Sequence, residues 1–360
     1  MILSQAELNR YSRQILMPEF GIEGQTKLKN AKVLVIGCGG LGSPILLYLA
    51  AAGIGTIGLI DADAVDESNL QRQILFGVSS LGKSKAEEAE KRLRDLNPTI
   101  KLETRKQRLD STNALEIFKD YDLIIDGTDN FPTRYLVNDA CVMLNKPFIY
   151  GAIYRFEGQV GVFNYKGSAT YRDLFPTPPP PEMAPNCAEA GVLGMMAGMI
   201  GSMQANEAIK VIAEIGEPLA GKIFMIDALS MTSRILRVPR MPDSPKITNL
   251  IDYEAFCGIS KQESAIENID YEELLTWQNE GVDFQLIDIR EENEYAILNI
   301  GGELMPLSKL ENYIEKIHRD KKVVVHCQSG IRSQKAIRLL SEKYNFDNLI
   351  NLQGGINAVS

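Results

Sequence analysis

Short apolar runs alternate with helical stretches along the first part of the chain. Five runs rich in β-branched residues are predicted to be strands: residues 32–36, 56–60, 101–104, 123–126 and 148–150. Amphipathic or apolar helices are predicted at residues 43–52 and 83–96, and two later strands at 159–165 and 222–227. Strands that alternate with helices require right-handed crossovers, so the pattern predicts an α/β fold with a mostly parallel, Rossmann-like sheet.

The pattern changes twice beyond residue 175. Residues 176–185 contain six prolines and are expected to be extended, and three more prolines follow between residues 238 and 261 without a clear period. A second, smaller α/β pattern then begins. Its predicted strands are residues 284–288 and 322–326, and its predicted helices are 271–279, 309–319 and 334–344. We therefore predict a first domain over residues 1–245, a linker over 246–268 and a second domain over 269–360.

Composition excludes several classes of protein. A net charge of −9 makes the chain a poor nonspecific binder of nucleic acids, which require a basic surface. The five cysteines are widely spaced, which is not typical of a disulfide framework and favours a reducing cytoplasm. Residues 1–20 lack the character of a secretory signal. The charge-free stretch 190–205 is too short and glycine-rich for a membrane span, so we expect a buried helix.

A glycine-rich turn follows the first predicted strand directly. Gly37, Gly39 and Gly42 have the spacing of a dinucleotide fingerprint, which presents backbone N–H groups and a helix N-terminus to phosphate. Such a turn is also compatible with a tight strand-to-helix junction that binds nothing. Asp61, at the end of the next strand, would satisfy the expectation for a dinucleotide-binding protein as well.

Polar side chains crowd the ends of two further strands. Segment 61–73 offers Asp61 and Asp63 as acceptors, and its potential phosphate donors are Asn69, Arg72 and Gln73. Lys85 begins the next helix as a point charge for phosphate, and Asp129 and Asn130 follow another strand, with Asp129 suited to Mg²⁺. No histidine is present before residue 318. This combination favours a triphosphate site over hydride transfer, although the same charges could simply solvate a loop.

A cysteine follows the predicted strand 322–326. Cys327 precedes a short turn into a helix, and the helix dipole together with Arg332 favours its thiolate form. Four residues separate Cys327 from Arg332, whereas tyrosine phosphatases have five, so the smaller loop suits a persulfide sulfur. The alternative is a buried cysteine at a strand end, and His326 is interpreted as a packed strand residue.

Five segments carry a resemblance that extends, in order, over about residues 1–240. They are residues 10–15 (RYSRQI), 37–42 (GCGGLG), 61–73 (DADAVDESNLQRQ), 127–130 (GTDN) and 187–192 (CAEAGV). Together they resemble the sulfur-carrier adenylyltransferases of the molybdopterin and thiamine pathways, bacterial relatives of ubiquitin-activating enzymes. The resemblance implies MgATP-dependent adenylation of the C-terminal Gly-Gly carboxylate of a small ubiquitin-like protein by a homodimer.

Residues 269–360 resemble the rhodanese family. The resemblance rests on residues 288–290 (DIR), Glu291, Glu294, the loop 327–332 and residues 353–355 (QGG). It implies that Cys327 carries a persulfide received from a donor such as a cysteine desulfurase.

The motifs and the two resemblances together predict roles for individual residues. The expected ATP and cofactor contacts are Gly37, Gly39, Gly40, Gly42, Asp61, Asp63, Ser68, Asn69, Leu70, Gln71, Arg72, Gln73, Lys85, Asp129 and Asn130. The expected catalytic residues are Arg13, reaching the other subunit's site, Arg72, Lys85, Asp129 as the Mg²⁺ ligand, Cys187, Cys327 and Arg332. Cys187 corresponds to a cysteine that forms covalent links in some members of the family, and its alternative is a buried structural thiol.

The chain departs from the adenylyltransferase family at its structural zinc. Two Cys-x-x-Cys pairs would fall at Thr170 and Asp173 and near Glu254 and Cys257, and only Cys257 is a cysteine. One thiolate cannot make a tetrahedral zinc site, so no zinc is expected.

The fused order of the two domains suggests one reaction sequence. The preferred hypothesis is carrier adenylation followed by sulfur transfer from Cys327 to give a thiocarboxylate. The alternatives are activation of a ubiquitin-like protein through a Cys187 thioester for conjugation, a non-catalytic scaffold, and an NAD dehydrogenase, which is discarded. No nucleic acid or membrane partner is expected.

Overall fold

The chain is described by a computed structural model over residues 2–179, 191–242, 244, 246–258 and 266–359. These residues form two compact units, one on each side of residue 260. The division falls inside the predicted linker, while the predicted limits of the domains stay predictions.

An eight-stranded sheet forms the centre of the first unit, in the order β3-β2-β1-β4-β5-β6-β7-β8. Its strands are β1 Lys32–Ile36, β2 Thr56–Ile60, β3 Lys101–Arg105, β4 Leu123–Asp126, β5 Phe148–Tyr154, β6 Glu157–Phe163, β7 Lys222–Asp227 and β8 Thr232–Arg237. Strands β1 to β5 pair in parallel, which confirms the mostly parallel sheet. Strands β5 to β8 pair antiparallel, at the other edge.

The antiparallel edge is where the sequence pattern was least informative. Every residue of β8 is exposed, so this strand has no buried face to create an alternating pattern. β5 extends four residues beyond its prediction because it pairs with β6 over seven residues.

Helices cover both faces of the sheet, and a separate apolar cluster lies on each face. The helices of the first unit are Gln5–Arg10, Ser12–Ile15, Gly21–Asn30, Gly42–Ala52, Lys85–Leu96, Ala114–Phe118, Phe131–Met143, Tyr171–Leu174, Gly194–Ala213 and Tyr253–Phe256. Helix Gly194–Ala213 confirms the predicted buried helix and continues to residue 213; residues 180–190, before it, lie outside the described part. No helix in the described ranges is long and apolar enough to cross a membrane.

The second unit has a five-stranded, wholly parallel sheet in the order β11-β10-β12-β13-β9. Its strands are β9 Glu267–Ile269, β10 Phe284–Asp288, β11 Glu303–Leu304, β12 Lys322–His326 and β13 Leu349–Leu352. Its α-helices are Tyr271–Glu280, Glu292–Ile297 and Ile331–Tyr344, and a final 3₁₀ segment covers Gly355–Val359. The predicted helix at 309–319 was wrong in type, because Leu307–Lys316 forms 3₁₀ turns.

Candidate functional site

A cavity of about 1010 Å³ lies at the carboxyl ends of β1, β2 and β4. This is the edge at which open parallel sheets bind ligands. The predicted residues that line it are Gly37, Gly39, Gly40, Asp61, Asp63, Asn69, Arg72, Gln73, Lys85, Asp129 and Asn130. The fold therefore brings most of the predicted nucleotide-binding residues to one cavity, although their roles stay predictions.

The glycine-rich turn forms one wall of this cavity, and two of its glycines are required by geometry. Gly37 has a φ of +86°, which side chains rarely adopt. A Cβ on Gly42 would lie 2.0 Å from the carbonyl oxygen of Gly37. Gly42 thus permits the strand and the helix Gly42–Ala52 to approach closely, and Leu41, directly before the helix, lines the cavity.

Asp61, directly after β2, connects the glycine-rich turn to this strand through a hydrogen bond. Its carboxylate accepts the Cys38 N–H at 2.7 Å and the Asp63 N–H at 2.8 Å. Burial raises the pKa of Asp61, while these two N–H bonds act in the opposite direction. The carboxylate lines the cavity at the position where a ribose hydroxyl would bind in a nucleotide site of this topology.

Two cationic side chains line the cavity, and they differ in burial and in their partners. The Lys85 side chain is 9% exposed, and its Nζ lies 3.0 Å from Asp63 Oδ2. Arg72 is half-buried, and its Nη1 donates to the Ser68 carbonyl at 2.9 Å. Since Asp63 is largely exposed, its ion pair with Lys85 is weak, and Lys85 can exchange it for a phosphate at little cost.

Asp129 and Asn130 follow β4 at the rim of the cavity. Asn130 accepts the Thr133 N–H at 2.9 Å and caps helix Phe131–Met143. Asp129 is exposed, with no hydrogen bond or ion pair to the rest of the described chain. The described residues hold no cluster of three His, Cys, Asp or Glu side chains that could bind a metal alone. A lone carboxylate fits an Mg²⁺ ion that arrives with a triphosphate, since Mg²⁺ is commonly held by one carboxylate, phosphates and water.

A buried ion pair that the sequence pattern did not predict lies beneath this rim. Asp126 is fully buried and lies 3.3 Å from Arg134 Nε, and it accepts the Thr128 N–H at 2.9 Å. Arg134 lines the cavity and stacks 5.0 Å above the Tyr150 ring. Burial raises the pKa of Asp126, against the charge of Arg134. A signal was available, since Asp126 ends an apolar strand and Arg134 lies on the first turns of the helix that follows.

Some predicted residues do not line the cavity. They are Gly42, Ser68, Leu70 and Gln71. The physical reasons are local: Gly42 packs on Gly37, and the Ser68 hydroxyl donates to Asp66 at 2.5 Å. Arg13 lines a separate pocket of about 250 Å³ with Tyr48 and Ile209. Cys187 lies outside the described residues.

The second candidate site surrounds Cys327, at the end of β12. Its Sγ is fully buried and accepts the Gly330 N–H at 3.2 Å and the Ser333 hydroxyl at 3.5 Å. Gly330 has a φ of +86° where the loop turns into helix Ile331–Tyr344. The sulfur therefore lies at a helix N-terminus with donors directed at it, as the sequence indicated.

A turn at residues 353–357, here called the closing turn, is hydrogen-bonded to the backbone of the cysteine loop at residues 327–332. The Ile356 N–H donates to the Cys327 carbonyl at 2.9 Å, and the Asn357 N–H donates to the Gln328 carbonyl at 3.0 Å. A Cβ on Gly355 would lie 2.2 Å from the Cys327 carbonyl oxygen. The closing turn can approach the loop this closely only with glycine at position 355.

Both arginines of this site are paired with carboxylates. Arg332 donates from both terminal nitrogens to Glu294, at 2.8 and 2.6 Å. Arg290 is 1% exposed and binds the buried Asp288 at 2.7 Å. The hydrogen bonds from Arg332 lower the pKa of Glu294, so this carboxylate is ionised at neutral pH. Arg332 therefore contributes less free positive charge beside the sulfur than the sequence suggested.

His326 is fully buried on β12, with its Nε2 3.8 Å from Asp288 Oδ2. Burial lowers the pKa of His326 and favours the neutral imidazole. The side chain is packed in the core of the second unit, as interpreted from the sequence.

The residues at the family's zinc positions do not fit a zinc ion. Asp173 accepts the Thr170 N–H at 2.7 Å and the Met241 N–H at 2.9 Å, and Glu254 pairs with Arg108. Burial raises the pKa of Cys257 to about 11, which disfavours a thiolate ligand.

Other contacts join the segments that a zinc ion would join. Asp139 binds Arg172 at 2.7 Å and accepts the Tyr253 hydroxyl at 2.8 Å. Arg172 also stacks 4.7 Å from the centre of the Phe256 ring. The absence of zinc stays a prediction, and this network links the two segments through an ion pair, a hydrogen bond and a ring contact.

Two family models match the chain. The ThiF family matches residues 11–246, and the rhodanese-like domain matches residues 270–360. The two matches follow the order of the two compact units.

Relatives match the chain over most of its length. The "probable adenylyltransferase/sulfurtransferase MoeZ" of Mycobacterium tuberculosis is 47% identical, over 99% of this chain and 93% of its own. The "sulfur carrier protein adenylyltransferase" of Thermus thermophilus is 51% identical, over 71% of this chain and 98% of its own. A solved structure of E. coli MccB with ATP superposes with a TM-score of 0.60 and 26% identity, over 68% of this chain and 75% of that one.

Proposed function

The chain belongs to the ThiF family and carries a rhodanese-like domain, and on that premise we propose that it adenylates and then thiolates a small ubiquitin-like sulfur-carrier protein. The ThiF family implies the use of ATP. Adenylyltransferase and sulfurtransferase are the activities named for its relatives. These names do not favour the alternative of conjugation through a Cys187 thioester.

The observation that carries the proposal is the grouping of Asp61, Arg72, Lys85 and Asp129 around one cavity. In the proposed first step, the carrier's C-terminal carboxylate attacks the α-phosphorus of ATP, and pyrophosphate leaves. Both reactants are anionic, so Arg72 and Lys85 reduce the repulsion and stabilise the charge that develops in the transition state. The attacking carboxylate is already ionised, so the step requires no protein base.

Asp129 is the residue proposed to hold Mg²⁺ with the phosphates, and the ion would supply charge neutralisation on the triphosphate. Asp61 is proposed to orient the nucleoside through its ribose hydroxyls. Since Arg13 lies in a separate pocket, we propose that it serves the cavity of a second copy in a homodimer.

The proposed second step uses a persulfide on Cys327. Its terminal sulfur attacks the acyl carbon of the carrier adenylate, AMP leaves, and an acyl disulfide forms. A thiol then attacks the Cys327 sulfur, which releases the carrier thiocarboxylate and leaves a disulfide on Cys327. Cys327 is a free thiol in the structure, and the chemistry suits a reducing compartment such as the cytoplasm. The proposed sulfur donor is a cysteine desulfurase.

The full chain with candidate Gly-Gly-ended carriers, MgATP and a persulfide source provides the test. We expect carrier-dependent ATP–pyrophosphate exchange, and a carrier whose mass shows one sulfur in place of one oxygen. Cys327→Ala should retain the exchange and lose the thiocarboxylate. Absence of exchange with every Gly-Gly carrier would overturn the first step, and a thiocarboxylate made by Cys327→Ala would overturn the second.

A further inference from the structure

The charge around Cys327 is balanced by carboxylates rather than left positive. Arg332 is the charged end of the loop that starts at Cys327, and Glu294 engages it through two parallel hydrogen bonds of 2.8 and 2.6 Å. The Arg332 side chain is 15% exposed, so solvent screens the pair only partly. The guanidinium keeps further N–H donors, but the carboxylate already offsets its single positive charge, which leaves less charge to stabilise a second anion.

The second arginine of the site is committed in the same way. Arg290 Nη2 binds Asp288 at 2.7 Å and the Leu298 carbonyl at 2.6 Å. Its Nη1 lies 3.3 Å from the Gln328 side chain, in the cysteine loop. An anionic donor that approaches Cys327 therefore meets two neutral ion pairs, and direct donors to the sulfur come from Gly330 and Ser333.

We propose that Glu294 is a specificity-determining residue of the sulfur site, because by neutralising Arg332 it disfavours doubly charged sulfur oxyanions and favours singly charged persulfide donors. This inference rests on the proposed role of Cys327 as a sulfur acceptor. Glu294 lies on helix Glu292–Ile297, outside the loop, and acts through Arg332.

The two donor classes place different charge at the site. With thiosulfate, the Cys327 thiolate attacks the sulfane sulfur, the S–S bond of thiosulfate breaks, and sulfite leaves with the bonding electron pair. The charge gathered at the site is then −3, and it needs a free cation. With an alkyl persulfide, the thiolate takes the terminal sulfur and a thiolate leaves, so only −2 gathers. Neutralisation of Arg332 therefore raises the activation barrier more for the reaction with thiosulfate than for the reaction with the persulfide.

The test compares the full-length wild type with Glu294→Gln, using thiosulfate and cysteine persulfide as separate donors and cyanide as the acceptor. Thiocyanate formation gives kcat/KM, and the mass of Cys327 peptides reports loading by one sulfur. Glu294→Gln should raise kcat/KM for thiosulfate by about tenfold, since it frees one arginine charge, and change it less than about threefold for cysteine persulfide. Glu294→Asp, which keeps the charge, should behave like the wild type.

A matched control is Glu292→Gln, since Glu292 lies on the same helix and pairs with the exposed Lys309 at 3.1 Å. This substitution should leave kcat/KM unchanged with thiosulfate and with cysteine persulfide. The gain in Glu294→Gln should disappear in the double variant with Arg332→Gln. Equal gains for both donors, no gain for thiosulfate, or a gain that survives removal of Arg332 would overturn the proposal. Failure of wild-type Cys327 to load from either donor would instead contradict the proposed function.

Discussion

The nucleotide cavity and the cysteine site present charge in opposite ways. In the cavity, Asp129 is exposed and unpaired within the described chain, and Lys85 is paired with an exposed carboxylate. Around Cys327, both Arg290 and Arg332 are bound by carboxylates, one of them fully buried. The difference fits the proposed ligands, because the cavity keeps charges that MgATP could engage, whereas the arginine charges beside Cys327 are already offset. The cysteine site suits a small, weakly charged sulfur species.

The largest effect is expected when the buried Asp288–Arg290 ion pair of the second unit is broken. Arg290→Gln leaves Asp288 buried without its partner, and this should lower the free energy of unfolding by about 3–5 kcal/mol. Denaturant titration can follow the fluorescence of Trp277, the single tryptophan, which packs on Phe284 within this unit. The exposed Arg338→Gln should change the value by less than about 0.5 kcal/mol. Equal effects of both substitutions would contradict a structural role for the pair.

The second-largest effect concerns Lys85, a cationic side chain that lines the nucleotide cavity. Lys85→Gln should reduce carrier-dependent ATP–pyrophosphate exchange by about 10²–10³-fold, because one preorganised cation near the phosphates is lost. Lys83→Gln, two residues earlier and exposed, should retain the exchange. Sulfur loading of Cys327 should be unchanged in both variants. An equal loss of exchange in Lys83→Gln and Lys85→Gln would show that only the total charge of this segment matters, and would contradict a specific role for Lys85.

A third prediction sharpens the role of the unpaired carboxylate. Asp129→Asn should raise the Mg²⁺ concentration that gives half-maximal exchange by about tenfold, since a neutral amide is a weaker ligand than a carboxylate. The thermal midpoint should hardly change, because Asp129 contacts no charged partner in the described chain. Asp120→Asn, at an exposed turn, serves as the control. A shift in the ATP requirement alone, with an unchanged Mg²⁺ requirement, would argue against metal binding at Asp129.

The smallest effect is the pH dependence of the Arg332–Glu294 pair. Pairing with Arg332 lowers the pKa of Glu294 in the folded protein below its ordinary value of 4.5. The pair's contribution to stability is therefore fully present above about pH 4.5 and is lost as the pH falls through the folded-state pKa. The difference in unfolding free energy between wild type and Glu294→Gln should shrink as the pH falls from 6 to about 3. A difference that does not depend on pH would mean that the pair adds nothing through its charge.

The parallel cores of both units could be predicted from the sequence, because β1, β4 and β12 are apolar runs with clear turns after them. Strands β8, β9, β11 and β13 were not predicted, since β8 has no buried face and the other three are only two to four residues long. The type of segment Leu307–Lys316 was also missed, because apolar spacing does not separate an α-helix from successive 3₁₀ turns.

The candidate site divides in the same way. Residues close to a motif, such as Asp61, Lys85 and Asp129, were found by their position after strands. The pairs Asp126–Arg134 and Glu294–Arg332 were not, because pairing depends on which elements become neighbours in space. Arg332 was expected to supply free charge, and only the structure reveals the carboxylate that neutralises it.

The closing turn at residues 353–357 has a consequence for protein design. Its two N–H groups hold the carbonyls of Cys327 and Gln328, and Gly355 alone allows that approach. A six-residue cysteine loop grafted onto another strand-turn-helix scaffold would lack this brace and lose its shape. A portable sulfur-accepting module would have to carry the distant glycine turn along with the loop.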